Sequence, residues 1–139
     1  MIKAEENNLH IDGAAIPFKK IHMVKPFGED CYIVNILTGK CVQFPYKLEE
    51  VYTALKAAGK TEFMLINNII LNCGVVDMQY IQTAKSKKDE LGYALHIVFN
   101  NGRTEQIFFK THNEAEAFYH EIDNKLIDIK TAKCLENLK

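Results

Sequence analysis

The stretch VFNNGRTEQIFF, Val98–Phe109, has an apolar run on each side of an Asn-Asn-Gly turn. This pattern predicts a β-hairpin. The apolar residues before and after the turn share parity, so they meet on one face only if the loop has an odd number of residues. We therefore predict a three-residue loop with Gly102 in the left-handed conformation, a type I turn followed by a G1 bulge.

A similar hairpin is predicted earlier in the chain, in the stretch NILTGKCVQFPY, residues 35–46. Aligning Gly39 with Gly102 brings the apolar positions of both strands into correspondence, and we expect both glycines at positive φ. The corresponding positions are Tyr32, Val34 and Ile36 with Leu95, Ile97 and Phe99, and Phe44 and Tyr46 with Ile107 and Phe109.

An amphipathic helix is predicted after each hairpin, at about residues 47–58 and 113–128, because apolar residues recur there with helical spacing. Gly59 stands where a C′ glycine ends the first helix. Asn113 and Glu116 form an N-cap and N3 pair for the second. The apolar stripes are Leu48, Val51, Tyr52 and Leu55 in the first helix, and Ala115, Phe118, Ile122 and Leu126 in the second.

Two further extended segments precede each hairpin: NLHI and AIPFKKIHMV in the first half, EFMLI and IILNCGVVDMQYI in the second. The predicted fold is therefore α+β, a tandem repeat of two ββββα units with curved antiparallel sheets packed on two helices. We interpret residues 1–139 as a single domain with repeats at about 8–59 and 60–128. A short C-terminal tail follows, either a last helical turn or a frayed end.

The predicted core collects apolar residues from both hairpins and both helices. Its members are Val34, Ile36, Phe44, Leu55, Ile97, Ile107, Phe118 and Ile122.

Composition and net charge limit the kinds of partner that the chain can bind. The 139 residues are 47% hydrophobic and 25% charged, with a net charge of −1. Such a chain has no global basic field, so an anionic partner must be held by a local patch. The N-terminal stretch MIKAEENNLHIDG lacks a signal pattern and no apolar run approaches a membrane span, so we expect a cytoplasmic protein. The four cysteines are scattered without a CxxC pair, and we expect reduced thiols.

The tandem ββββα pattern resembles the Whirly-like architecture of PUR-repeat and plant Whirly proteins over about residues 8–128. That resemblance implies binding of single-stranded nucleic acid on curved sheets. The segments IHMV, CYIVNILTGKCVQFPYKLEEVYTAL and EFMLINNIILNCGVVDMQYI also resemble a LytTR DNA-binding domain over about residues 16–82. A pleckstrin-homology-like module, with a sheet and a terminal helix, is a third resemblance.

The hairpin faces opposite the helices carry the candidate nucleic-acid-binding residues. One aromatic ring lies there among amides and a cation, a set that can stack a base, bond to its edge and contact phosphate. The predicted residues are Gln43, His96, Gln106, Phe108 and Lys110. The same face can also pack against a partner subunit or the other repeat.

A lysine-rich loop before the second hairpin can contact phosphates as point charges. It contains Lys85, Lys87 and Lys88, and the alternative interpretation is an ordinary solvated loop, which charge runs of this size commonly form. Arg103 is the single arginine, which argues against base-specific readout of duplex DNA.

No catalytic or metal site is predicted. His112, Glu116 and His120 share a helix edge but extend over about 12 Å, too far for all three to ligate one ion. The other histidines lack a neighbouring nucleophile pattern, and the glycines form no phosphate loop. We therefore expect no enzyme activity, no metal and no cofactor.

Two functional interpretations follow. The first is a small non-enzymatic binding protein that holds single-stranded DNA or RNA on an antiparallel sheet face. The second is a protein-interaction or scaffold domain without ligand chemistry, with a second copy of the chain or another protein as its partner.

Overall fold

The computed structural model describes residues 1–35 and 41–137. In these residues the chain is α+β, as predicted, with three antiparallel sheets and two α-helices. It divides into two compact units, Met1–Val75 and Val76–Lys139. None of the described helices combines the length and the apolarity that a membrane span requires.

The first unit contains eight strands and one helix among its described residues. They are β1 (Ile2–Ala4), β2 (Asn8–Ile11), β3 (Ala14–Pro17), β4 (Ile21–Phe27), β5 (Asp30–Asn35), β6 (Cys41–Phe44), α1 (Leu48–Ala57), β7 (Phe63–Ile66) and β8 (Ile69–Asn72). One sheet has the order β1-β2-β3 and the other β6-β5-β4-β8-β7.

The second unit is a three-stranded meander followed by a long helix. Its elements are β9 (Val76–Lys85), β10 (Leu91–Phe99), β11 (Thr104–Phe109) and α2 (His112–Asn137), and the sheet order is β11-β10-β9. Because α2 continues to Asn137, the segment predicted as a tail is helical as far as the structure describes it.

The β10–β11 hairpin has the predicted loop. Val98 pairs with Thr104, and the Phe99 amide donates to the Arg103 carbonyl at 2.8 Å. The Gly102 amide donates to the Phe99 carbonyl at 2.8 Å, and Gly102 has a φ of 84°. This is a three-residue type I turn with the glycine in the left-handed region.

The register of the first hairpin differs from the prediction. Phe44 pairs with Cys31, and Tyr32 pairs with Gln43. Cys31 and Phe44 are both buried, so Cys31 shares the core face of Phe44, the place predicted for Tyr32 and Val34. Gly39 lies outside the described residues, so its alignment with Gly102 stays a prediction.

The predicted ββββα units are not observed. Each half has five strands from β2 to α1 and from β7 to α2, because a 3-10 turn divides each of the two long extended segments. The turns are Phe18–Lys20 and Cys73–Val75. The order of the elements is the same in both halves of the chain. The sheets are different, because β8 pairs with β4 and so joins the sheet that contains the first hairpin. The two compact units divide at Val75. The single domain with repeats at about 8–59 and 60–128 stays a prediction.

Both helices form where the apolar stripes predicted them. Gly59 has a φ of 73°, and the Lys60 amide donates to the Leu55 carbonyl at 3.0 Å, which ends α1 in a Schellman motif. The N-cap of α2 is Thr111, because the Glu114 amide donates to its hydroxyl oxygen at 3.2 Å. The predicted pair of Asn113 and Glu116 is therefore wrong by two positions.

The core prediction is confirmed for four residues. Phe44, Leu55, Ile97 and Ile122 are buried. Ile107 and Phe118 are half-buried, although Phe118 stacks on Phe109 with 4.8 Å between ring centroids. The side chain of Val34 and all of Ile36 lie outside what the structure describes.

Candidate nucleic-acid interface

The sheet of the second unit has two chemically distinct faces. On one face α2 packs against the strands, where the Gln79 amide donates to the Tyr119 carbonyl at 2.9 Å. The opposite face, which we name the outer face, consists of three cross-strand rows. The rows are Met78, Val98 and Thr104; Tyr80, His96 and Gln106; and Gln82, Ala94 and Phe108.

An aromatic pair occupies the middle row. The Tyr80 and His96 rings are stacked, with 4.6 Å between centroids and 11° between planes. His96 is buried, whereas Tyr80 is 41% exposed and presents a ring to solvent. Tyr80 was not predicted as a site residue, although its parity in the stretch VDMQYI places it on the face of His96 once the two strands pair.

Phe108 packs closely on the neighbouring strand. A Cβ atom built on Gly92 would lie 2.4 Å from Cζ of Phe108 and 2.6 Å from the Phe109 carbonyl oxygen. Gly92 therefore allows the ring to approach the β10 backbone closely, where any side chain would clash with it. Phe108 is half-buried, so part of the ring remains available for contact.

The outer face carries amides and no carboxylate. Gln82 and Gln106 are exposed there, and Lys110 is exposed just beyond the end of β11. Within β9, β10 and β11, Glu105 lies opposite Ile97 on the helix side, and Asp77 is the extra residue of a bulge at the start of β9. A negatively charged chain lying across the three rows would meet no carboxylate from the residues that form them.

The lysine-rich segment is a turn between β9 and β10. The Ser86 amide donates to the Glu90 carbonyl at 2.8 Å, and Asp89 has a φ of 62°. Lys85 forms an exposed ion pair with Asp89 at 3.6 Å. Lys87 and Lys88 are exposed at the tip, so the turn presents two lysines in an ordered hairpin.

Gln43 does not belong to this face. It lies on β6 in the five-stranded sheet of the first unit, where its amide donates to Asp30 Oδ2 at 2.7 Å. The prediction of one sheet face bearing Gln43 together with the other candidates is wrong, because the two hairpins belong to different sheets. His96, Gln106 and Phe108 do share one face.

Two further groups with potential chemistry are the buried Cys31 thiol and the pair of His112 and Glu116. Burial raises the pKa of the Cys31 thiol to about 11, and the Asp30 and Glu50 carboxylates contribute to that rise, so this thiol is protonated at neutral pH. His112 and Glu116 approach to 3.5 Å at the exposed start of α2. Within the part of the chain that the structure describes, no three His, Cys, Asp or Glu side chains form a group that could hold a metal ion.

A cleft of about 620 Å³ lies within the first unit. Its wall includes Lys60, whose ammonium donates to the Glu6 carbonyl at 2.7 Å and lies 4.9 Å from the centroid of the Phe18 ring. Lys19 and Glu62 place one further charge of each sign on the wall. With charges of both signs on its wall, the cleft shows no preference for an anion or a cation.

No family model and no curated protein matches the chain. Among solved structures, it is similar to the LytTr DNA-binding domain of a DNA response regulator from Bacillus cereus, with 11% sequence identity and a TM-score of 0.49. The match covers 88% of this chain and 94% of that chain. It corresponds to the LytTR resemblance, and the Whirly and PUR resemblance finds no support here. At this TM-score the similarity carries no argument about function.

Proposed function

We propose that this chain is a non-catalytic binding protein that holds single-stranded nucleic acid across the outer face. The observation that carries the proposal is the stacked pair of Tyr80 and His96 on a face that also bears Phe108, two glutamine amides and no carboxylate. Such a face offers what an unpaired base requires, an aromatic surface with hydrogen-bonding groups beside it.

Two stacking positions are separated by the width of the sheet. Tyr80 is on β9 and Phe108 on β11, so β10 lies between them and the two strands are about 10 Å apart. Gln82 and Gln106 flank these rings and can bond to base edges. Lys87, Lys88 and Lys110 supply the phosphate contacts, which are sequence-independent and salt-dependent.

The experiment is a fluorescence anisotropy titration with labelled oligothymidine and oligouridine at two salt concentrations. Tyr80→Ala and Phe108→Ala should each weaken binding about 5- to 150-fold, the equivalent of the ~1–3 kcal/mol that one stacked base contributes. The matched control is Phe27→Ala, an aromatic ring that is 53% exposed in the first unit, which should leave affinity unchanged.

The titration at two salt concentrations should distinguish the contribution of the lysines to affinity from that of the stacked rings. Replacing Lys87 and Lys88 by alanine should reduce the slope of log affinity against log salt by about 0.7 for each phosphate that these ammonium groups neutralise. Replacing the exposed Lys130 and Lys133 of α2 should leave the slope unchanged. The unfolding midpoint of each variant shows whether that variant folds. If Phe108→Ala disturbs the sheet, Tyr80→Ala alone tests the stacking contribution.

A protein-interaction domain is the second candidate, and exposed apolar side chains favour it. Met78, Leu91, Ile127 and Leu135 are each at least half exposed. If neither oligomer binds at low salt, or if a duplex binds more tightly than either single strand, the proposal of a single-strand site is wrong. The interaction domain stands if the single strands and the duplex all fail to bind.

A further inference from the structure

The free edge of the second sheet is long and uncharged along most of its length. β9 has ten residues and, among the described strands, pairs only with β10. Residues 78–84 contain no proline and no charged side chain, the usual devices that keep an edge strand from pairing with another chain. Met78, Tyr80, Gln82 and Thr83 are exposed along it.

This edge is complementary to itself. Two copies of β9 paired antiparallel about a two-fold axis at Ile81 align residues 78–84 of both copies, and they bring Asp77, the bulge residue next to Met78, close to Lys85 of the other copy, twice. The same register places Tyr80 opposite Gln82 and Met78 opposite Ala84. An attractive pair of charges therefore lies at each end of the paired segment, and uncharged side chains face each other between the two pairs.

The other edge of the sheet lacks this complementarity. A two-fold axis perpendicular to a sheet pairs residues of equal parity, because each face must continue across the junction. On β11 and its flanks, Glu105 has an odd residue number and Lys110 an even one, so a two-fold axis perpendicular to the sheet cannot pair these two residues. The register that pairs Glu105 with Arg103 overlaps only residues 103–105 of each copy, and only two of these lie in β11. Charge complementarity thus selects β9.

We propose that two copies of this chain associate through β9 in the register centred on Ile81, forming one six-stranded sheet. The ion pair that Lys85 makes with Asp89 does not prevent this, because both side chains are largely exposed and such pairs are weak. In the pair of copies both α2 helices lie on one side and both outer faces on the other. The association does not rest on the proposed function.

A charge-exchange series measured by sedimentation equilibrium tests the register. Asp77→Lys and Lys85→Asp should each raise the dimer dissociation constant about tenfold or more, since each converts two attractive pairs into two repulsive pairs. The double variant Asp77→Lys/Lys85→Asp should return it to within about threefold of the original value. A chain that is monomeric at millimolar concentration, or a double variant as weak as the single ones, would overturn the proposal.

Oxidative cross-linking tests the axis independently of charge. In a Cys41→Ser/Cys134→Ser background, Ile81→Cys places two thiols on residues directly opposite each other, within the Cα separation that a disulfide spans. Thr83→Cys is the matched control, because its two copies would be about 13 Å apart along the strands. Dimers linked through residue 81 and not through residue 83 are expected, and equal linkage or none contradicts the register.

Discussion

Replacement of Ile122 by alanine is expected to lower the free energy of unfolding by about 2–5 kcal/mol, the range for truncating a buried aliphatic side chain. Ile122 is 0% exposed and lies on the face of α2 that packs against the sheet. The substitution removes buried apolar surface and leaves a cavity that the surrounding strands can close only partly. Urea unfolding followed by circular dichroism measures the decrease.

Ile127→Ala is the matched control on the same helix. Ile127 is 53% exposed, so the same change of residue type removes little buried surface and should alter the free energy of unfolding by no more than about 0.5 kcal/mol. Equal effects at both positions would show that α2 does not bury the face that carries Ile122.

Replacement of Asn72 by alanine is expected to cost about 2–4 kcal/mol, because one buried amide satisfies three backbone groups. Its Nδ2 donates to the Phe18 carbonyl at 3.1 Å and to the Ile21 carbonyl at 2.9 Å. Its Oδ1 accepts from the Gly74 amide at 3.0 Å. The Phe18 carbonyl keeps the Ile21 amide as a donor, so the main loss falls on the Ile21 carbonyl and the Gly74 amide. Each buried backbone group left without a partner costs ~1–3 kcal/mol, partly relieved where water can enter.

Two further variants distinguish the removal of hydrogen bonds from the removal of side-chain volume. Asn124→Ala, at an exposed position of α2, should change stability by no more than about 0.5 kcal/mol. Asn72→Asp keeps the acceptor but directs a carboxylate at two carbonyl oxygens, which raises the folded-state pKa of the new side chain. Its stability should therefore begin to fall as pH rises above about 4, where an unfolded aspartate ionises, and should continue to fall until the raised pKa of the folded side chain is passed. An Asn72→Ala protein as stable as the parent would contradict the bridging role.

The sequence correctly predicted the elements that depend on residues close to one another along the chain. The β10–β11 loop follows from Asn-Gly and from apolar parity, and the end of α1 follows from Gly59. The first hairpin was misassigned because its first strand, CYIV, is apolar at both parities, so the pattern did not distinguish its two faces. Cys31 is a free thiol, as predicted, and it lies in the core.

The division of the long strands depends on contacts distant in sequence. Asn72 bonds to carbonyls more than 50 residues earlier, at the 3-10 turn Phe18–Lys20, and no local pattern carries that information. The pairing of β4 with β8 is equally distant, and it decides which hairpin joins which sheet. Parity correctly grouped His96, Gln106 and Phe108, but it could not exclude Gln43 or include Tyr80 without the pairing of the strands.

The most direct test of the outer face is to map the bound strand by nuclear magnetic resonance during titration with oligothymidine. The aromatic and side-chain amide signals of Tyr80, His96, Gln106 and Phe108 should shift most, and those of Tyr119 on the opposite side of the sheet should stay in place. Shifts concentrated on α2 or on the first unit, or no shift at saturating oligomer, would contradict binding of single-stranded nucleic acid on this face.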